Sequence, residues 1–136
     1  MPILEVHLVE GMHTPAQHAE MLTAMSLRCA ELLDSPLDHV RAYVTLHRPE
    51  HWATAGSPAS GRSAPYFTVT LLEGRSTEQR HRLLGAVTDI IVDVLGADRR
   101  MVQGRIISVR PEDWAIGGVP ATARRGEPRA RAVTGT

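Results

Sequence analysis

Pro2 is the first residue whose type and place could do chemistry. If Met1 is removed, as aminopeptidases generally do before a small residue such as proline, Pro2 exposes a secondary α-amine. An unperturbed α-amine has a pKa of roughly 7.7 to 8.0, and burial or nearby guanidinium groups would lower it. A neutral amine at physiological pH could take a proton from a position alpha to a carbonyl, or from a dienol hydroxyl, and return it elsewhere. Pro65 is the internal control: it is peptide-bonded, cannot act as a base, and reads as the start of a strand. A planar guanidinium can grip a carboxylate bidentately or stabilise a developing oxyanion. All 15 basic residues are arginine, which codon usage explains more simply than function. The seven histidines show no ligand spacing, so no metal site is expected. Cys29 reads as a small buried side chain in mid-helix.

Composition bounds the rest. The 136 residues suit one domain, or two very small units sharing one core. A formal net charge of zero gives no reason to expect a nucleic-acid or membrane partner. No apolar run approaches the roughly 20 residues of a membrane span. The N-terminus lacks a basic segment followed by an apolar one, so no signal peptide is expected and a cytoplasmic location follows.

An internal repeat supplies the elements that must position Pro2. Pro2 to Gly11 aligns with Pro65 to Gly74, both apolar runs ending in Glu-Gly. Arg48-Pro49-Glu50-His51-Trp52-Ala53 aligns with Arg110-Pro111-Glu112-Asp113-Trp114-Ala115 at nearly the same offset, about sixty residues. Thr14, Pro15 and Gln17 predict a helix start in the first half, and Ser76 and Gln79 predict one in the second. The first apolar stripe is expected at Met21, Leu22, Met25, Leu27, Ala30, Leu32 and Leu33. The second is expected from Leu83 to Leu95, with Gly96 as the stop. Strands follow at about Val40 to Leu46 and Val102 to Val109. Each half is therefore β-α-β with parallel strands and a right-handed crossover. The fold expected is α/β: two tandem units, 1–52 and 65–119, making a four-stranded sheet with both helices on one face. Residues 53–64 read as a turn-rich linker, and 120–136 as a polar tail containing Arg124, Arg125, Arg129 and Arg131. Self-association is the simplest cover for the other sheet face.

Pro65 to about Arg125 resembles the 4-oxalocrotonate tautomerase family, through Leu72-Glu73-Gly74-Arg75-Ser76-x-Glu78-Gln79 and the closing Ile116-Gly117-Gly118. The first half resembles it more loosely, at Pro2-Ile3, Glu10-Gly11, Asp34-Ser35-Pro36-Leu37 and Val40-Arg41. The resemblance implies tautomerase chemistry on small 2-keto or dicarboxylate enols. It also implies trimers of fused units, and neither a metal nor an organic cofactor. It places the catalytic proline on Pro2, the turn arginine on Arg75 and the strand arginine on Arg41. Their repeat equivalents are Met12 and Gln103, so each half keeps one arginine, which fits a single site around Pro2. The aromatic position falls on Trp52 and Trp114, with Ile116 beside the latter as a further substrate contact. Either tryptophan could instead be a packing anchor.

Two other readings stand beside this one. Related dehalogenating hydratases and decarboxylases use extra groups, and the dehalogenases' places hold Leu72, Cys29 and approximately Ala115 here. Glu112 or Asp113 could substitute for the missing water-activating carboxylate, and Asp38 lies near the decarboxylase's acid. A non-catalytic oligomeric binding protein with the same fold is the alternative from a different class.

Overall fold

Both helices begin where the sequence places their caps. The computed structural model describes residues 1–122, with helix α1 at Pro15–Leu33 and α2 at Thr77–Leu95. Thr14 Oγ1 accepts the Gln17 backbone N–H at 3.1 Å, and the Gln17 side-chain oxygen accepts the Thr14 N–H at 2.9 Å. Ser76 and Gln79 repeat the arrangement at 3.1 and 3.0 Å. Each box satisfies two N–H groups that the helix itself leaves open. Gly96 closes α2 in the left-handed conformation (φ +70°), which costs glycine little.

The strands are β1 (Ile3–Val9), β2 (Arg41–His47), β3 (Ala53–Thr54), β4 (Ser57–Pro58), β5 (Tyr66–Leu72), β6 (Gln103–Val109), β7 (Ala115–Ile116) and β8 (Val119–Pro120). Four of them form one sheet in the order β2-β1-β5-β6. Within each unit the pairs β1/β2 and β5/β6 are parallel, as strands joined by a helical crossover must be. At the seam β1 and β5 run antiparallel, pairing Ile3 with Thr70, Glu5 with Thr68 and His7 with Tyr66. Glu5 and Thr68 are repeat equivalents, so a local two-fold axis passes between them and relates the two units.

Alternation along β1 buries Leu4, Val6 and Leu8 against the helices and turns Glu5 and His7 to the other face. The helix-side core takes Met21, Met25, Cys29 and Leu33 from α1, strictly four residues apart, and Leu83, Val87, Ile91 and Leu95 from α2. Leu27, expected in the first stripe, is instead 54% exposed, because a four-residue row leaves it on the outer side. Cys29 is buried, as its mid-helix position suggested.

The segment 53–64 is more ordered at its start than a plain linker, because β3 and β4 form a hairpin there. The second unit repeats that hairpin with β7 and β8, so the duplication extends past the tryptophans. Ala121, at the start of the expected tail, is buried and donates its N–H to the Trp114 carbonyl at 2.7 Å. Residues 123–136, with the four tail arginines, lie outside the described residues.

Candidate active site

The antiparallel seam decides which residues meet. It lays the start of β1 beside the end of β5, so the segments after β5 and β6 gather around Pro2. By the same symmetry, the segments after β1 and β2 gather around Pro65.

Pro2 is fully buried, and its carbonyl accepts the Arg41 N–H at 3.1 Å. That bond continues the β1/β2 ladder, in which Ile3 lies opposite Arg41. The Arg41 guanidinium turns back to donate from Nη1 to the carbonyls of Asp38 at 2.6 Å and Val40 at 3.2 Å. Arg75, half-buried on the turn after β5, donates from Nη1 to the Leu33 carbonyl at 2.8 Å. The carbonyl end of a helix carries partial negative charge, which suits a guanidinium there.

Met1 shows what this environment does to an amine. Its amino group is buried and donates to Ser35 Oγ at 3.1 Å. Its pKa falls from 8.0 to about 6, first through burial and then through the positive charges of Arg75 and Arg41. The Cys29 thiol would oppose that shift only as a thiolate, and burial pushes the thiol up to about 12. Cys29 therefore stays neutral, and the arginines act on the amine without opposition from it.

Beside Met1 lies a cavity of about 300 Å³ lined by Ile3, His39, Arg41, Trp114, Ala115, Ile116 and Gly117. Five of the six residues singled out from the sequence thus meet at one end of the molecule: Pro2, Arg41, Arg75, Trp114 and Ile116. Trp52 does not join them. It stands at the other end with Met12, His13, Ser63 and Pro65, meets the His47 ring edge-on at 5.1 Å, and donates Nε1–H to Thr54 Oγ1 at 3.2 Å. That end holds Met12 and Gln103 in the places of Arg75 and Arg41, and Pro65 there is peptide-bonded.

Ser35 and His39 join the site without having been singled out for it. Ser35 belonged to the family-like phrase Asp34 to Leu37, whose physical meaning is the end of α1: its N–H donates to the Ala30 carbonyl at 3.0 Å. His39 lacks ligand spacing, like the other histidines. Its signal was its place two residues before Arg41.

Known proteins support the architecture. The tautomerase enzyme family profile matches residues 65–124. A probable tautomerase of Ralstonia nicotianae is 40% identical over 65 residues, which are 48% of this chain and 93% of that protein. A 2-hydroxymuconate tautomerase of Comamonas testosteroni is 39% identical over 57 residues, 42% of this chain and 90% of that protein. Each relative is thus about the size of one unit. Among solved structures, native fused 4-OT superposes with a TM-score of 0.83 at 28% identity, covering 89% of this chain and 97% of that one. A second fused 4-OT, described as a wild-type symmetric trimer, superposes with a TM-score of 0.82 at 28% identity, covering 92% and 99%.

The chain belongs to the tautomerase family. It is a tautomerase, an isomerase-type enzyme, with two 4-oxalocrotonate tautomerase-like units fused in tandem.

Proposed function

We propose that the secondary amine of Pro2, freed by loss of Met1, is the general base of this tautomerase. The observation that carries the reading is the buried, guanidinium-flanked setting next to Pro2, which lowers the pKa of the Met1 amine to about 6. An amine of that kind is mostly neutral at pH 7 and can accept a proton.

The substrate class that suits these groups is an enol or dienol of a small 2-keto acid. The Pro2 nitrogen takes the hydroxyl proton, the O–H electron pair forms the carbonyl, and the displaced double-bond electrons take the proton back at carbon. No atom is gained or lost, which is isomerisation. Arg75 and Arg41 hold the carboxylate and the oxygen on which negative charge develops. Trp114 and Ile116 exclude water from the reacting end, which strengthens both interactions. The fused 4-OT relatives and the second face of the sheet support a homotrimer as the working form.

The test is a blocked amine. Protein lacking Met1 should convert 2-hydroxymuconate or phenylenolpyruvate in an ultraviolet assay, and the same protein acetylated on Pro2 should lose that activity. Full activity after acetylation would remove Pro2 as the base and leave the fold unchanged.

A further inference from the structure

We infer that the site selects enols of 2-keto monocarboxylates bearing an apolar unsaturated or aryl substituent over dicarboxylates, and that Leu72, Ala121, Trp114 and Ile116 make this selection. The inference rests on the proposed role of Pro2 and goes beyond it by fixing the substrate class.

Met1 serves as a gauge of the space next to the base. Met1 is only 9% exposed and clusters with buried Leu72 (6%) and Ala121 (1%), with Trp114 and Ile116 packed against them. Its amino group lies at the opposite, polar end on Ser35 Oγ, under the influence of Arg75 and Arg41. The volume of one methionine residue beside Pro2 is therefore polar at one end and apolar at the other. Removing Met1 frees the Pro2 nitrogen and opens this volume in the same step. It also joins the slot to the cavity that Arg41 and His39 line.

A substrate entering the slot puts its carboxylate and enol oxygen where the Met1 amine was, within reach of the arginines. Its remaining substituent must then take the place of the methionine thioether. The four side chains around that place carry no cation. Among the described residues, none of these four side chains offers an ionic partner to a second carboxylate there, which would lose its hydration against apolar surface. A phenyl or alkenyl group would replace methionine carbon and sulfur with apolar surface, and the Trp114 ring suits a flat substituent.

Neither buried member of the slot was singled out from the sequence as a substrate contact. Leu72 enters only as the first residue of the family-like phrase and as one of the places where the dehalogenases differ, and Ala121 falls inside the expected polar tail.

The test uses the full chain lacking Met1, with two readouts. In turnover, kcat/KM for phenylenolpyruvate should exceed that for 2-hydroxymuconate at least tenfold. In calorimetry, 3-phenylpropanoate should bind at least tenfold more tightly than adipate; neither has an enol to react, so this readout does not depend on the base. Ile116→Arg, which places a cation in the slot, should shift both ratios at least tenfold toward the dicarboxylate. If that variant does not fold, the two comparisons on the unmodified chain still decide. Equal or tighter binding of adipate overturns the inference, even where Pro2 proves to be the base. Selective binding of 3-phenylpropanoate without turnover of either substrate leaves the slot standing and removes the proline-base reading.

Discussion

The Met1 amine is shifted downward by burial first, and Arg75 and Arg41 add to that shift. Arg75→Ala should lower kcat/KM at least about tenfold, a loss on the order of 1.4 kcal/mol of transition-state binding. An unchanged value would remove Arg75 from the site. The amine also gives a pH prediction for the chain that retains Met1. Its folded pKa, about 6, lies below its unfolded value of 8.0, so within that window the unfolded chain holds more protons. Stability contributed by the neutral amine is therefore complete above 8.0 and declines as pH falls toward 6. Urea midpoints measured across this range should show that decline, and acetylating Met1 should remove it; identical slopes for the two forms would refute the shift. Pro2 and Pro65 offer a matched pair at the same scale. Pro2→Ala in the mature chain should weaken proton transfer, because alanine leaves a primary amine of different basicity and geometry. Pro65→Ala should leave the ultraviolet assay nearly unchanged, because a peptide nitrogen's lone pair is delocalised into its carbonyl and cannot act as a base.

Between residue and molecule, the helices were the most legible elements. A capping box is a three-residue signal whose partners are neighbours in sequence, so Thr14/Gln17 and Ser76/Gln79 could be read directly. The two-residue strands β3, β4, β7 and β8 are too short to carry any period and did not show. Arg75 and Arg41 were legible as a pair because each survives in only one repeat. Separating Trp114 from Trp52 required knowing that β1 and β5 are antiparallel, and a tandem repeat has the same spacing whichever way its halves pack. Gly104 is a further long-range case. It lies opposite Phe67 in the β5/β6 ladder, and a Cβ there would overlap the Phe67 ring. The Phe67 ring is buried in the helix-side core. Gly104→Ala should therefore destabilise the fold by about 1–3 kcal/mol, as overpacking does. A denaturant midpoint equal to that of the unmodified chain would show that the ring yields freely.

At the scale of the whole molecule the sheet has two unlike faces. Both helices cover one, and among the described residues no helix covers the other. That second face is neither bare apolar surface nor ordinary solvated surface. Thr45 Oγ1 donates to Glu5 Oε2 at 2.6 Å, His7 Nδ1 and His47 Nε2 are 2.8 Å apart, and the His7 and Tyr66 rings stack at 5.6 Å. Such satisfied polar groups can be buried without leaving partners open. Around them Tyr43 remains 46% exposed, and Ile107 lies on the same face, opposite Thr70. Aromatic and aliphatic groups interleaved with internally bonded polar ones suit a face that meets copies of itself, and a trimer would close that surface. Light scattering at micromolar concentration should therefore give about three times the 14.9 kDa chain mass. Ile107→Glu would place a charge on the covered face without touching the helix-side core. It should dissociate the assembly while leaving helical circular dichroism intact, since an isolated chain keeps every core contact described above. A monomeric unmodified protein, or an Ile107→Glu variant that remains fully trimeric, would show that this face is not where the copies meet.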